Sequence, residues 1–156
     1  MEILLETRNL KTLFPIRGGV FQRRIGNVRA VDDIDLTINK RQWMGLVGES
    51  GCGKTTLGKT VLRLLTPTSG HIYLDVPEEI KGQITELETL KGNSTKYNNL
   101  LSKYDLAAFP SRQLKPYRKK MQIVHQDPFT SLDPRMKIQS TLLLPINSLD
   151  LMQVTE

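Results

Sequence analysis

An α/β domain fronted by an antiparallel β-subdomain is what this sequence predicts, and three stretches predict it. Residues 3–10 are β-prone, and residues 28–38 alternate Val28, Ala30, Ile34, Leu36 and Ile38 with mostly polar neighbours, a period of two that turns one strand face to a core. Residues 43–47, Trp-Met-Gly-Leu-Val, are a short apolar run that enters a glycine-rich turn at once, as expected of a strand buried on both faces that ends in a ligand loop. Residues 54–65 then place Leu57, Val61, Leu64 and Leu65 at three- and four-residue spacing, a helix stopped by Thr66-Pro67-Thr68-Ser69-Gly70.

The remaining elements follow from the same signals. Residues 14–26 hold Pro15, Gly18 and Gly19 with Arg17, Arg23 and Arg24, the composition of a surface loop. Residues 71–74 are a short strand. Residues 78–120 turn polar and charged, with helical spacing at Ile84, Leu87 and Leu90 and a weaker set at Leu100, Leu101 and Tyr104. Lys91-Gly92-Asn93-Ser94-Thr95 separates those two helices, and Phe109-Pro110-Ser111 opens a third, basic one. Residues 121–125 are strand-like, and Ser131-Leu132-Asp133-Pro134 reads as a turn.

A chain of 156 residues is long enough to bury a substantial core, about 68–70% of its unfolded surface. The single cysteine, Cys52, has no internal partner for a disulfide, and the N-terminal residues lack the apolar stretch of a signal peptide, so the expected setting is the reducing cytoplasm. No window reaches the roughly 20 apolar residues of a spanning helix; the longest patch, residues 142–146, contains Pro145. A membrane role therefore requires a partner. Lys and Arg exceed Asp and Glu by 22 to 16, giving +6, with runs at Arg23-Arg24, Lys40-Arg41 and Arg118-Lys119-Lys120. Runs so scattered read as solvated faces, and nucleic acid is not expected as a partner.

The chemistry is concentrated at Gly48-Glu49-Ser50-Gly51-Cys52-Gly53-Lys54-Thr55, which satisfies G-x-x-x-x-G-K-[ST] between an expected strand and an expected helix. The glycines let the backbone curl so that successive N–H groups point inward at phosphate oxygens. The helix beginning at Lys54 adds the partial positive charge of its N-terminus. Lys54 supplies a mobile point charge for the β- and γ-phosphates, the Thr55 hydroxyl completes a Mg²⁺ shell, and Thr56 is placed to touch the α-phosphate. Cys52 is a small residue that fits the loop.

Four blocks carry a family resemblance: residues 29–34 (Arg-Ala-Val-Asp-Asp-Ile), residues 45–58 around the phosphate loop, residues 63–70 (Arg-Leu-Leu-Thr-Pro-Thr-Ser-Gly), and residues 121–136, which contain Gln126-Asp127-Pro128 and Ser131-Leu132-Asp133-Pro134-Arg135-Met136. Together with Phe14-Pro15-Ile16-Arg17-Gly18-Gly19 they resemble the ATP-binding subunits of oligopeptide and dipeptide ABC importers. The resemblance implies a P-loop NTPase core of the ABC ATPase type that binds ATP and Mg²⁺. It places Gln126 at the Q-loop glutamine, a catalytic residue that touches the metal and the attacking water. It also implies an aromatic from the N-terminal sheet stacked on adenine, for which Phe21 is the first candidate and Phe14 the second. The implied partners are membrane permease subunits and a second ATP-binding subunit, with the protein peripheral to the cytoplasmic face of the membrane.

The departures set further expectations. His125 stands where the family has phenylalanine. Lys54 and Gln126 are 72 positions apart, longer than the family pattern, so residues 78–113 are expected to be a helical insertion. The family's signature motif, Walker B aspartate, catalytic glutamate and switch histidine are not found in residues 1–156, which are therefore expected to be the N-terminal portion of the nucleotide-binding domain, truncated and without ATP turnover of its own. A split or decayed ABC ATPase fragment without transport activity and a non-transport P-loop NTPase are the alternatives. A GTPase reading fails because Asn39-Lys40-Arg41-Gln42 lacks the aspartate of N-K-x-D.

Overall fold

The computed structural model describes residues 2–90, 95–127 and 132–149, which fall into two units, Met1–Pro110 and Ser111–Glu156. The first unit is built on β1 (Ile3–Gly18), which pairs antiparallel with β2 (Arg23–Asn39) on one edge and with β3 (Ser69–Leu74) on the other. Along β1, Leu5 and Thr7 are buried, then Leu10 and Thr12. The alternation slips one phase at Asn9, whose φ of 48° marks a bulge that re-aims the strand. Asp35 holds that bulge by accepting a hydrogen bond from the Asn9 amide at 2.6 Å.

The first two strands extend further than their composition suggests. Residues 14–18 and 23–26, expected as loop, continue the ladder with pairs Phe14↔Val28 and Ile16↔Gly26, and only residues 19–22 form the turn. Backbone pairing decides this ribbon, since Ile16, Ile25 and Val28 all remain exposed on it.

Helix α1 (Lys54–Val61) follows the glycine-rich loop and buries Leu57, Thr60 and Val61; it stops earlier than residue 65, with Arg63 in left-handed backbone at φ 55°. Residues 43–47 form no strand. Trp43 is 98% exposed and Val47 91%, and no strand among the described residues pairs with them. An apolar run supplies the side chains of a buried strand, but a strand also needs a neighbour to accept its backbone hydrogen bonds.

After β3 come α2 (Glu78–Thr89) and α3 (Thr95–Tyr104), matching the two expected helices; Lys91, Gly92, Asn93 and Ser94 of the expected separator lie outside the described residues. The chain then returns to β3, where Asp105 bridges Tyr73, and a 3-10 turn, Leu106–Ala108, leads to Phe109. Leu10, Ile72, Ile84 and Leu106 are fully buried in this unit, each contributing about 1.5–3 kcal/mol.

In the second unit the expected third helix is a 3-10 turn, Ser111–Leu114, running into the short α4 (Lys115–Arg118). Residues 121–125 are irregular, with Val124 96% exposed, because no described strand pairs with them. Of the expected turn, Ser131 lies outside the described residues; beyond it the Met136 amide donates to the Asp133 carbonyl at 3.0 Å. Helix α5 (Ile138–Ser148) incorporates Pro145. No helix among the described residues is long and apolar enough to cross a membrane.

Candidate nucleotide site

The loop between residue 47 and α1 is shaped by glycine where no other residue fits. Gly53 has φ 93°, and a Cβ there would lie 2.2 Å from the Ala30 carbonyl oxygen of β2, so the loop closes directly against the sheet backbone. Gly48 has φ 155°, and a Cβ there would lie 2.9 Å from Cys52 Sγ and 4.0 Å from Lys54 Nζ, inside the curl of the loop. Gly53 also serves as the residue before the helix, and with no side chain it leaves the N-terminus of α1 uncapped. The first intrahelical bond is donated by Leu57 to Gly53 at 2.8 Å, so the preceding amide donors of the turn have no helical acceptor.

Lys54 closes the loop from the other side. Its ammonium donates to the carbonyl oxygens of Gly48 at 2.8 Å and Glu49 at 2.5 Å, and it lies 3.4 Å from Cys52 Sγ. Gly48, Glu49, Ser50, Gly51, Cys52 and Thr55 are exposed, and Gly53, Lys54 and Thr56 half-buried. The donor set is thus an uncapped helix end, an ammonium and a threonine hydroxyl, all reachable from solvent. It suits an anion with several oxygens, and through Thr55 a cation carried by that anion. The residues therefore fit a nucleotide polyphosphate with Mg²⁺.

The site residues expected from the sequence are brought together only in part. Residues 48–56 form one continuous loop and helix start. Phe21 sits in the turn of the β1–β2 ribbon, 82% exposed, with the Arg23 guanidinium 5.8 Å from its ring centroid, and Phe14 is 40% exposed on β1. Gln126 lies at an exposed bend in the second unit, as does His125 in the preceding irregular stretch.

Sequence reasoning gave no role to the buried residue that follows α1. Arg63 follows α1 and is 9% exposed, its Nε donating to the Leu106 carbonyl at 2.7 Å and its Nη2 to the Phe109 carbonyl at 3.0 Å. The one signal available was a lone cation inside the apolar stretch Val61-Leu62-Arg63-Leu64-Leu65, where a solvated arginine breaks the pattern and a buried one needs acceptors.

The family pattern of the ABC transporter matches residues 31–155, from Val31 within β2 through the phosphate loop and into the second unit. The chain belongs to the ABC transporter family. It is similar to the oligopeptide transport ATP-binding protein AppF of Bacillus subtilis, at 39% identity over 94% of this chain and 37% of that protein. It is also similar to the oligopeptide transport ATP-binding protein OppF of Lactococcus lactis subsp. lactis, at 37% identity over 96% of this chain and 39% of that protein. The probable peptide ABC transporter ATP-binding protein y4tS of Sinorhizobium fredii matches at 30% identity over 96% of this chain and 35% of its own length. This ABC transporter chain thus spans less than two-fifths of each of these relatives. An α/β P-loop domain with an antiparallel sheet at its N-terminus is the fold that the family match and the topology support together.

Proposed function

We propose that this chain is the N-terminal portion of an ATP-binding subunit that energises oligopeptide or dipeptide import, and that it holds MgATP through residues 48–56. The observation that carries the reading is the Lys54 ammonium seated on the Gly48 and Glu49 carbonyls beside an uncapped helix end, in a chain 39% identical to an oligopeptide transport ATP-binding protein. The inward amides of Gly51, Gly53, Lys54 and Thr55 take phosphate oxygens, and Lys54 exchanges its two carbonyl acceptors for the β- and γ-phosphates. Thr55 would hold Mg²⁺ through its hydroxyl, Gln126 is its second ligand by the family resemblance alone, and the ion would neutralise phosphate charge. Thr56 touches the α-phosphate, and Phe21 stacks on adenine.

Permease subunits and a second ATP-binding subunit are the proposed partners, with residues 126–135 facing the permease and the protein held at the cytoplasmic face of the membrane through it. Residues 78–113 form the helical insertion of this domain.

Cys52 gives a direct test of the site, since it is the chain's one cysteine and is exposed in the loop. MgATP at ten times its dissociation constant slows maleimide labelling of Cys52 about tenfold. Labelling that is unchanged by MgATP contradicts the assignment. For the partner, Met136→Cys in a Cys52→Ser background crosslinks to a permease loop; crosslinks only from residues 78–113 would move the contact there.

A further inference from the structure

Helix α1 is fixed to the rest of its unit at three points along its length. At its start the Gly53 backbone packs on Ala30 of β2. Near its end the Thr60 hydroxyl lies 2.9 Å from the Thr12 hydroxyl of β1. Just past its end the Arg63 guanidinium donates to the Leu106 and Phe109 carbonyls.

That third anchor belongs to the place where the α2–α3 excursion comes back. The chain leaves the sheet after Leu74 and returns at Asp105, which bridges Tyr73 of the strand just left. Asp105 pins the returning turn to β3. One carboxylate oxygen accepts from the Ile72 and Ala107 amides, both at 2.9 Å, and the other lies 2.7 Å from His71 Nδ1. Leu106 and Phe109 are buried behind it. Arg63 is thus held in a site with a fixed anion and two fixed carbonyls, while its Nη1 is buried without a hydrogen-bond partner. Burying a guanidinium incompletely paired is costly, and the negative charge of Asp105 offsets part of that cost.

We propose that Arg63 is a positioning residue for the phosphate-binding helix, coupling nucleotide occupancy of the loop to the seating of the Leu106–Ala108 turn and of the helical excursion that ends there. The proposal rests on the nucleotide reading of residues 48–56. An eight-residue helix is about 12 Å long and stiff, so a change at the loop is delivered to its other end, two residues before Arg63. Coupling of this kind is reciprocal: whatever binds the α2–α3 excursion and reseats the turn alters nucleotide affinity to the same degree.

Hydrogen exchange on the full chain with and without MgATP reads the coupling. MgATP slows exchange at the Ala107, Ala108 and Phe109 amides by about fivefold or more, together with the loop amides. In Arg63→Lys, which keeps the charge but reaches only one of the two carbonyls, the loop amides are still protected and the effect at residues 107–109 is lost. Protection of the loop with none at residues 107–109 in the unmutated chain overturns the coupling. An undiminished effect in Arg63→Lys overturns the role of Arg63. No protection in the loop overturns the nucleotide reading and the coupling with it. The unmutated chain decides the coupling even if the variant does not fold.

Discussion

The Lys54 ammonium reaches back across the glycine-rich loop to the carbonyl oxygen of Gly48 at 2.8 Å. The cation proposed to serve the phosphates thus also holds the loop in shape, by satisfying carbonyls that would otherwise repel an incoming anion. Moving it onto phosphate replaces neutral acceptors by charged ones, and hydrogen bonds to charged groups are the stronger kind.

Gly53→Ala tests how closely the loop is fitted to the sheet. A methyl at this position meets the Ala30 carbonyl oxygen at 2.2 Å and requires an alanine at φ 93°. The expected loss is about 2 kcal/mol or more in urea unfolding, accompanied by weaker MgATP binding. A stable variant with unchanged affinity would show that the loop is not anchored on β2.

The contrast between this loop and its flanks explains what was legible in the sequence. Residues 48–55 are specified locally: glycines, lysine and threonine at fixed spacing need only a helix behind them, and α1 is there. Residues 28–38 likewise carry their strand in their alternation. Residues 43–47 and 121–125 show strand composition without a strand, because pairing depends on a neighbour that no local pattern encodes. The ribbon of β1 and β2 fails in the opposite sense, since its arginines and glycines look like loop yet its backbone is paired out to Gly18 and Arg23. Arg63 and Asp105 are 42 positions apart, and only the return of the chain to Tyr73 makes them neighbours.

Lys81 of α2 is 1% exposed, and its ammonium pairs with Glu6 of β1 and with Glu78 at 2.6 Å. Glu6 also takes Arg8 Nε at 2.5 Å. Burial works to raise the Glu6 carboxyl, but the hydrogen bonds and charges of Lys81 and Arg8 overcome it and hold the group below its ordinary value. Glu6→Gln takes one of two carboxylate partners from a buried cation and costs more than Lys81→Met, which removes the charge that needs pairing. Urea unfolding of the two variants gives the comparison, and equal losses would contradict it. Because the folded value is lowered, the contribution of Glu6 is present above its unfolded value and is lost as pH falls through the folded one.

His71 sets the opposite dependence. Its hydrogen bond to Asp105 raises its pKa, burial opposes this, and the charges of Asp105 and Glu88, the latter 3.5 Å from Nε2, add to the rise. Tyr73 stacks on its ring at 5.8 Å, and Arg8 lies over the Tyr73 ring from β1. A raised folded value means that this stabilisation is complete below the unfolded value near 6.5 and disappears as pH rises through the folded one. Unfolding midpoints therefore fall as pH rises above about 6.5 in the unmutated chain and fall less in His71→Asn. Parallel pH profiles would exclude His71 as the source.

Titration calorimetry of the chain with MgATP, beside Lys54→Ala and Thr55→Ala, tests whether residues 48–56 bind MgATP. One saturable site is expected in the unmutated chain, with an affinity lower by about ten- to a hundredfold in Lys54→Ala, with or without Mg²⁺, for loss of a charged hydrogen bond of about 1.5–3 kcal/mol. Thr55→Ala weakens binding chiefly when Mg²⁺ is present. No binding by the unmutated chain, or equal binding by Lys54→Ala, would show that residues 48–56 are not the MgATP site.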